Sequence, residues 1–280
     1  MCSSTRQMAF TWFDCQFFRG SAAPGDSSSY ACFSPVNEAG TLVFVGSRAS
    51  KDNIGSQVAC KLALEHFIKG ASKSLAETSR ARRGMKSGDT GGDNIKSGSV
   101  KSDRKIERGP QALEDAFRNA NNSVYQFGHK LSAGGRLATS LMGLIICDGT
   151  VAVGRVGTGS TYLYRGSQIF PFFEAPGGDN GALAGSGSAV GSNSLVSVEL
   201  ASVDLEEFDR LLILPEELDR ELEPDLLNLL EKKGVDCSTI CRSLLSDNQS
   251  VSFSLLLSCG PLTTYLGKTL KLSHAPADIL

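Results

Sequence analysis

Apolar and polar positions alternate in short runs along most of the chain, and the runs are separated by glycine-rich turns. GTLVFVG, bounded by Gly40 and Gly46, is short and β-branched and predicts a buried strand. VACKLALEHFIKG follows. Val58, Leu62, His66 and Lys69 share one face there, and Ala59, Ala63 and Phe67 form an apolar neighbour. This spacing predicts a helix over about Ile54–Lys69 that stops at Gly70. A second helix is expected from Gln111 to about Leu131, with Ala112, Ala116, Ala120 and Val124 as its buried stripe. Thr139–Cys147 and Val151–Val156 read as long strands joined at Asp148-Gly149, the two-residue signature of a type I′ hairpin.

The meander is expected to continue through a glycine-rich hairpin after Val156 into Tyr162–Tyr164, and then through Arg165-Gly166 into Ile169–Phe173. Further strands are predicted at Val196–Leu200, Arg210–Leu214 and Val251–Leu257, and an acidic amphipathic helix at Glu216–Lys233. Strands dominate, with helix pairs inserted at intervals. That order predicts an α+β fold, a four-layer α/β/β/α sandwich of two antiparallel sheets flanked by helices. A single domain over residues 8–280 is expected. It is interrupted at residues 71–110 by a Ser/Gly-rich segment with ten basic and five acidic residues, including the RARR run at Arg80–Arg83. Its composition predicts a disordered insertion.

The chain has 280 residues, with Lys+Arg 28 against Asp+Glu 30 and a net charge of −2. Such a balance argues against a nucleic-acid binder or a polybasic membrane anchor. No run reaches 18 apolar residues and no basic-then-apolar leader opens the sequence, so a cytoplasmic protein without a membrane partner is expected. The eight cysteines are scattered among apolar neighbours and read as small core residues. Cys237 and Cys241, four apart, would share a helix face, yet zinc requires about four ligands and no histidine lies beside them in sequence. No acyl-transfer elbow and no phosphate loop is legible.

One stretch carries a puzzle. VGTGSTYLYRGSQ, Val156–Gln168, places glycines and small hydroxyls at a strand junction but holds no Asp, Glu, His or Lys. Four ordered patterns bear on it: VFVGSRASKDNIGSQVACKLALEHF, GRLATSLMGLIICDGTVAVGRVGTGSTYLYRG, LLILPEEL and SDNQSVSFSLLL. Together they resemble the metal-dependent protein phosphatase (PPM-type Ser/Thr phosphatase) family, over nearly all of the chain apart from the insertion. The resemblance implies that the metal-bridging Asp of the first family motif falls on Ser47, its metal-binding Gly on Arg48 and its His on Asp52. In the second motif the family Asp becomes Thr158, while Gly157 keeps the turn; Gly159 and Ser160 replace the following Ser and Arg. Glu216 stands at the metal-binding Asp of the third motif, and Asp247 and Asn248 retain the fourth. The weakly placed N-terminal motif puts Asp26 at an Asn and leaves Ser27 and Ser28 at an acidic pair.

Two-metal phosphate hydrolysis requires carboxylates that offset the charge of two hard cations and hold a bridging water. Ser47 cannot bridge them, and Arg48 brings a fixed positive charge. Glu216 and Asp247 are the residual ligand candidates, enough for at most one weak Mg²⁺ or Mn²⁺, and no cofactor is expected. Each also has a local reading: Asp247 and Asn248 as turn caps, Glu216 as a first-turn residue of a helix beginning at Pro215. An ion pair from Arg48 to Glu216 or Asp247 would replace the missing cation. The resemblance therefore implies a catalytically inactive pseudophosphatase in signalling that works by binding a protein, with phosphoproteins among the candidate partners. The alternative is a divergent Mg/Mn-dependent protein Ser/Thr phosphatase with an unusual metal site.

Overall fold

The computed structural model describes residues 13–18, 29–35, 41–49, 53–86, 108–131, 137–173, 189–216, 218, 220–232, 235–244 and 253–259. Among the described residues, ten strands form two five-stranded antiparallel sheets. The first holds β2 (Ser29–Pro35), β3 (Leu42–Arg48), β4 (Ser140–Cys147), β5 (Thr150–Val156) and β8 (Glu199–Asp204), in the order β2-β3-β4-β5-β8. The second holds β1 (Phe13–Phe18), β6 (Ser160–Arg165), β7 (Gln168–Pro171), β9 (Arg210–Leu214) and β10 (Ser254–Cys259), in the order β1-β10-β9-β6-β7. Helices α1 (Ile54–Lys86) and α2 (Arg108–Lys130) flank the first sheet; α3 (Glu223–Glu231) and α4 (Cys237–Leu244) flank the second.

Three apolar cores separate the four layers. Val43, Val45, Leu141 and Ile145 meet Ala63, Phe67, Leu113 and Phe117 between the first sheet and its helices. Phe44, Leu144, Val153, Leu211, Ile213 and Leu255 lock the two sheets face to face. Leu212, Leu214 and Leu256 bury Leu226, Leu230, Ile240 and Leu244 on the far side. Alternate residues of β3, β4 and β9 thus enter different cores, as the period-two pleat requires. Their near-continuous apolar runs reflect burial on both faces, which is the expected α/β/β/α sandwich.

The Asp148-Gly149 hairpin is as expected: both residues have positive φ, 55° and 80°. The next junction is not a hairpin. β5 and β6 belong to different sheets, so Gly157–Gly159 carries the chain across the sandwich. The turn before β7 lies at Gly166-Ser167, one residue later than expected, because Arg165 stays in β6 with its guanidinium on the buried Asp209 carboxylate at 2.8 and 2.6 Å.

Four boundaries differ from the sequence reading. α1 runs through Gly70 to Lys86. Gly70 does not end the helix; it lets two helices approach, since a Cβ there would lie 3.1 Å from both Ala116 Cα and Asn119 Cβ of α2. Ala71 and Leu75 are buried beyond it, and Ser74 Oγ donates to Asp115 Oδ2 at 2.9 Å. The expected insertion over 71–110 therefore overlaps packed helix at both ends; residues 87–107 lie outside the described residues. The acidic helix begins with a 3₁₀ turn at Arg220 and becomes α3 at Glu223, where Pro224 suits a first turn. Glu216 is left in a bend after β9, so it is not the first-turn residue of a helix beginning at Pro215. β8 and β10 each begin three residues later than the predicted strands.

A packed residue 75 separates the two readings of that segment. Leu75→Ala should lower unfolding free energy by about 2–4 kcal/mol in denaturant titration, the usual cost of truncating a buried leucine. A disordered segment would give no change.

Candidate functional site

The pleat of β3 decides where its last residues point. Phe44, Gly46 and Arg48 face the second sheet, whereas Val43, Val45 and Ser47 face α1 and α2. Gly46 is bare because Phe253 lies on it: a Cβ would meet that ring at 2.3 Å. Ser47 is fully buried on the helix side, its hydroxyl 2.8 Å from Thr139 Oγ1. Thr139 Oγ1 donates to the Arg48 carbonyl at 2.8 Å and lies 3.2 Å from Cys60 Sγ on α1. Burial raises the Cys60 pKa, opposed by hydrogen bonds from Ser47 and Thr139. Thr139 also pairs through its backbone with Val190, so this hydroxyl–thiol cluster ties α1 to the first sheet. The metal-bridging position expected at Ser47 is thus turned away from the cleft. A carboxylate placed there would be buried against the Cys60 thiol and the Thr139 hydroxyl, not offered to a cation.

Arg48 is the residue that enters the cleft. Its Nη1 lies 2.9 Å from Glu216 Oε1, with the two side chains 27% and 13% exposed. Arg48 ends a strand of the first sheet, and Glu216 follows β9 of the second, so the ion pair spans the two sheets at the mouth of the sandwich. Partial burial strengthens the attraction relative to a surface pair, and removing either partner strands a half-buried charge.

The junction between β5 and β6 borders the same mouth. Ser140 is the register partner of Arg48, and its Oγ lies 3.3 Å from both the backbone N and Oγ1 of Thr158. Gly157 has φ 87°, and a Cβ there would lie 2.4 Å from Ser140 Oγ. Gly159 has φ 134°, and a Cβ would lie 2.1 Å from Met142 Sδ. Both positions exclude a side chain by conformation and by space. Ser160 Oγ accepts from the Leu218 N–H at 3.3 Å, joining the junction to the chain beyond Glu216.

Arg155 anchors this junction from below. It is 5% exposed; its Nη1 donates to the Gly159 carbonyl at 2.8 Å and its Nη2 meets Glu199 Oε2 at 2.9 Å. Its guanidinium also lies 4.8 Å over the Phe173 ring. Sequence reasoning passed over Arg155 and Thr139. The signal for Arg155 was present: VAVGRV puts a lone charge on the same strand face as Val151 and Val153, a costly placement unless paired.

Of the predicted site residues, the fold brings together Arg48 and Glu216, with Gly157 and Thr158 beside Ser140. Ser47 stands on the opposite face. Asp26, Asp52, Asp247 and Asn248 lie outside the described residues. Among the described residues, no group of three or more His, Cys, Asp or Glu could hold a metal ion. Among the described residues, the donors at the mouth do not fit a pair of divalent cations, since the Glu216 carboxylate is engaged by a guanidinium and Ser140, Thr158 and Ser160 offer neutral hydroxyls. Cys237 and Cys241 do share a helix face, with Ser254 Oγ 3.0 Å from each sulfur. No helix among the described residues is long and apolar enough to cross a membrane.

No protein-family model matches the sequence, and no curated protein aligns with it. Solved structures do match. The serine/threonine phosphatase PstP/Ppp of Mycobacterium tuberculosis superposes with a TM-score of 0.54 at 13% identity, covering 89% of this chain and 99% of that one. The PPM Ser-Thr phosphatase MsPP of Mycobacterium smegmatis gives 0.54 at 11%, covering 89% and 98%. The serine/threonine phosphatase of S. agalactiae gives 0.55 at 11%, covering 89% and 99%. The chain has the fold of the PPM-type Ser/Thr phosphatases. At these identities the likeness is one of fold, and the chemistry of the PPM-like cleft rests on the residues in it.

If the ion pair holds the mouth of the sandwich, Glu216→Gln should lower unfolding free energy by about 1–3 kcal/mol, between the worth of a surface pair and that of a buried one. Arg48→Met combined with Glu216→Leu should recover most of that loss. A cycle with no coupling in denaturant titrations would mean that the pair contributes nothing.

Proposed function

We propose that this chain is a pseudophosphatase: it keeps the PPM-like sandwich without metal-dependent phosphate hydrolysis and acts by binding another protein. The observation that carries this reading is the Arg48–Glu216 ion pair across the cleft mouth. Hydrolysis on this scaffold needs cations whose charge stabilises the transition state, and those cations need carboxylates turned toward the cleft. Here the strand residue facing the cleft is a guanidinium, and it neutralises the carboxylate from the opposite sheet. A fixed internal cation gives the cleft the electrostatic balance that bound metal gives elsewhere, but it cannot generate a hydroxide nucleophile. An intact sandwich with an occupied cleft leaves its surfaces as the functional part. A phosphoprotein is among the candidate partners, and a cytoplasmic signalling role fits this reading.

Turnover is the test. With millimolar Mn²⁺ or Mg²⁺, the intact chain should hydrolyse an aryl phosphate or a phosphothreonine peptide no faster than its Asp247→Ala and Glu216→Ala variants. Metal-stimulated turnover abolished by either substitution would establish the other reading, a divergent Mg/Mn-dependent Ser/Thr phosphatase.

A further inference from the structure

The rim of the sandwich beside Arg48 is rich in hydrogen-bond donors. Arg48 on β3 and Ser140 on β4 are register partners, and both lie on the strand face turned to the second sheet. Opposed residues have Cβ atoms about 4.5–5.5 Å apart, so the guanidinium and the hydroxyl border one space. Ser140 Oγ accepts from the Thr158 N–H and from Thr158 Oγ1, each at 3.3 Å. That uses its lone pairs and leaves its own proton to donate. We infer that this rim is a self-inhibited oxyanion site: Glu216 occupies the Arg48 guanidinium as an internal ligand, and a phosphoryl dianion displaces it onto Arg48, Ser140 and Thr158.

The donors select the occupant. A divalent cation is repelled by the guanidinium. A neutral ligand is outmatched, because charge-assisted hydrogen bonds are about twice as strong as neutral ones. A carboxylate from a partner offers no more than Glu216, which is tethered to the same chain and loses no translational freedom on pairing. A phosphoryl group differs in kind. It carries about −1.5 to −2 charge and three acceptor oxygens. Those oxygens suit the planar fork of a guanidinium and leave an acceptor for the Ser140 hydroxyl and the Thr158 N–H. Thr158 is exposed, and its two bonds to Ser140 are long, so exchanging them for a charged acceptor is favourable.

Glu216 then sets the strength of binding. Its carboxylate lies 2.9 Å from the guanidinium the ligand must reach, and its charge opposes an incoming anion. Binding is held down by a competitor on the same chain and strengthens when that competitor is neutralised. The sign is diagnostic. A carboxylate that only positions Arg48 would, on removal, loosen the site and weaken binding. The inference rests on the metal-free reading of the mouth given above, and it concerns binding alone: no bond to phosphorus is made or broken.

Calorimetric titration of the intact chain in EDTA tests this, with a phosphothreonine peptide, its unphosphorylated form, the same peptide carrying glutamate instead, and inorganic phosphate. The phosphopeptide should bind saturably at up to millimolar concentration, and the unphosphorylated and glutamate peptides at least about tenfold more weakly. Inorganic phosphate matching the phosphopeptide would assign the site to the free anion; tighter binding of the phosphopeptide would assign it to a phosphorylated chain. Glu216→Gln should raise phosphoryl affinity at least about tenfold, and Ser140→Ala should lower it about two- to tenfold, the worth of one hydrogen bond. Arg48→Met should abolish it; where that variant does not fold, the wild type and Glu216→Gln carry the test. No saturable phosphoryl binding by the wild type, equal binding of the glutamate peptide, or affinity unchanged or lowered in folded Glu216→Gln would each overturn the inference. Because metal is excluded, the outcome is separate from turnover: metal-stimulated hydrolysis would sink the pseudophosphatase reading, whereas absent binding in EDTA would sink this inference alone.

Discussion

Consecutive side chains of a strand leave opposite faces of its sheet, and in β3 this alternation divides structure from site. Val43, Val45 and Ser47 are committed to the helix-side core, while Phe44, Gly46 and Arg48 are committed to the space between the sheets. A shift of one residue would put a guanidinium against Cys60 and open Phe253's seat on Gly46. Both cores therefore fix the register, and the register fixes the sign of the charge at the cleft. Glu216 answers that charge from the other sheet, and Ser140, Thr158 and Ser160 complete a mouth built from hydroxyls.

The glycine-rich junction after Val156 has a physical purpose without acidic residues. It moves the chain from one sheet to the other in three residues, and two of them, Gly157 and Gly159, sit at positive φ against Ser140 and Met142. Arg155, with Glu199 and Phe173, fixes the junction from within the sandwich. Two guanidiniums, those of Arg48 and Arg155, thus meet the carboxylates of Glu216 and Glu199.

Much of the architecture was legible because burial on both faces writes apolar runs into β3, β4 and β9, and because Asp148-Gly149 names its own turn. The pairing of Arg48 with Glu216 was also open to reasoning, since a cation at a metal-ligand position demands a counter-charge. The face of Ser47 was not: motif position identifies a residue's neighbours in sequence, but one register step turns its side chain to the other layer. Gly70 misled for a related reason. A glycine that ends a helix and a glycine that lets two helices touch look alike until the partner is known, and Ala116 lies far away in sequence. The acidic helix was placed too early because Pro215 and Pro224 both suit a first turn, and only the packing of Leu226 and Leu230 chooses between them.

The central claim is that the mouth of the cleft is held by a guanidinium–carboxylate pair in place of a two-cation site. Calorimetric titration of Mn²⁺ into the intact wild-type chain, beside Arg48→Asp, tests it most directly. The account predicts no two-ion isotherm for the wild type, with metal binding gained only when the arginine is replaced by a carboxylate facing Glu216. Saturable binding of two Mn²⁺ ions by the wild type, unaffected by Arg48→Asp, would contradict it.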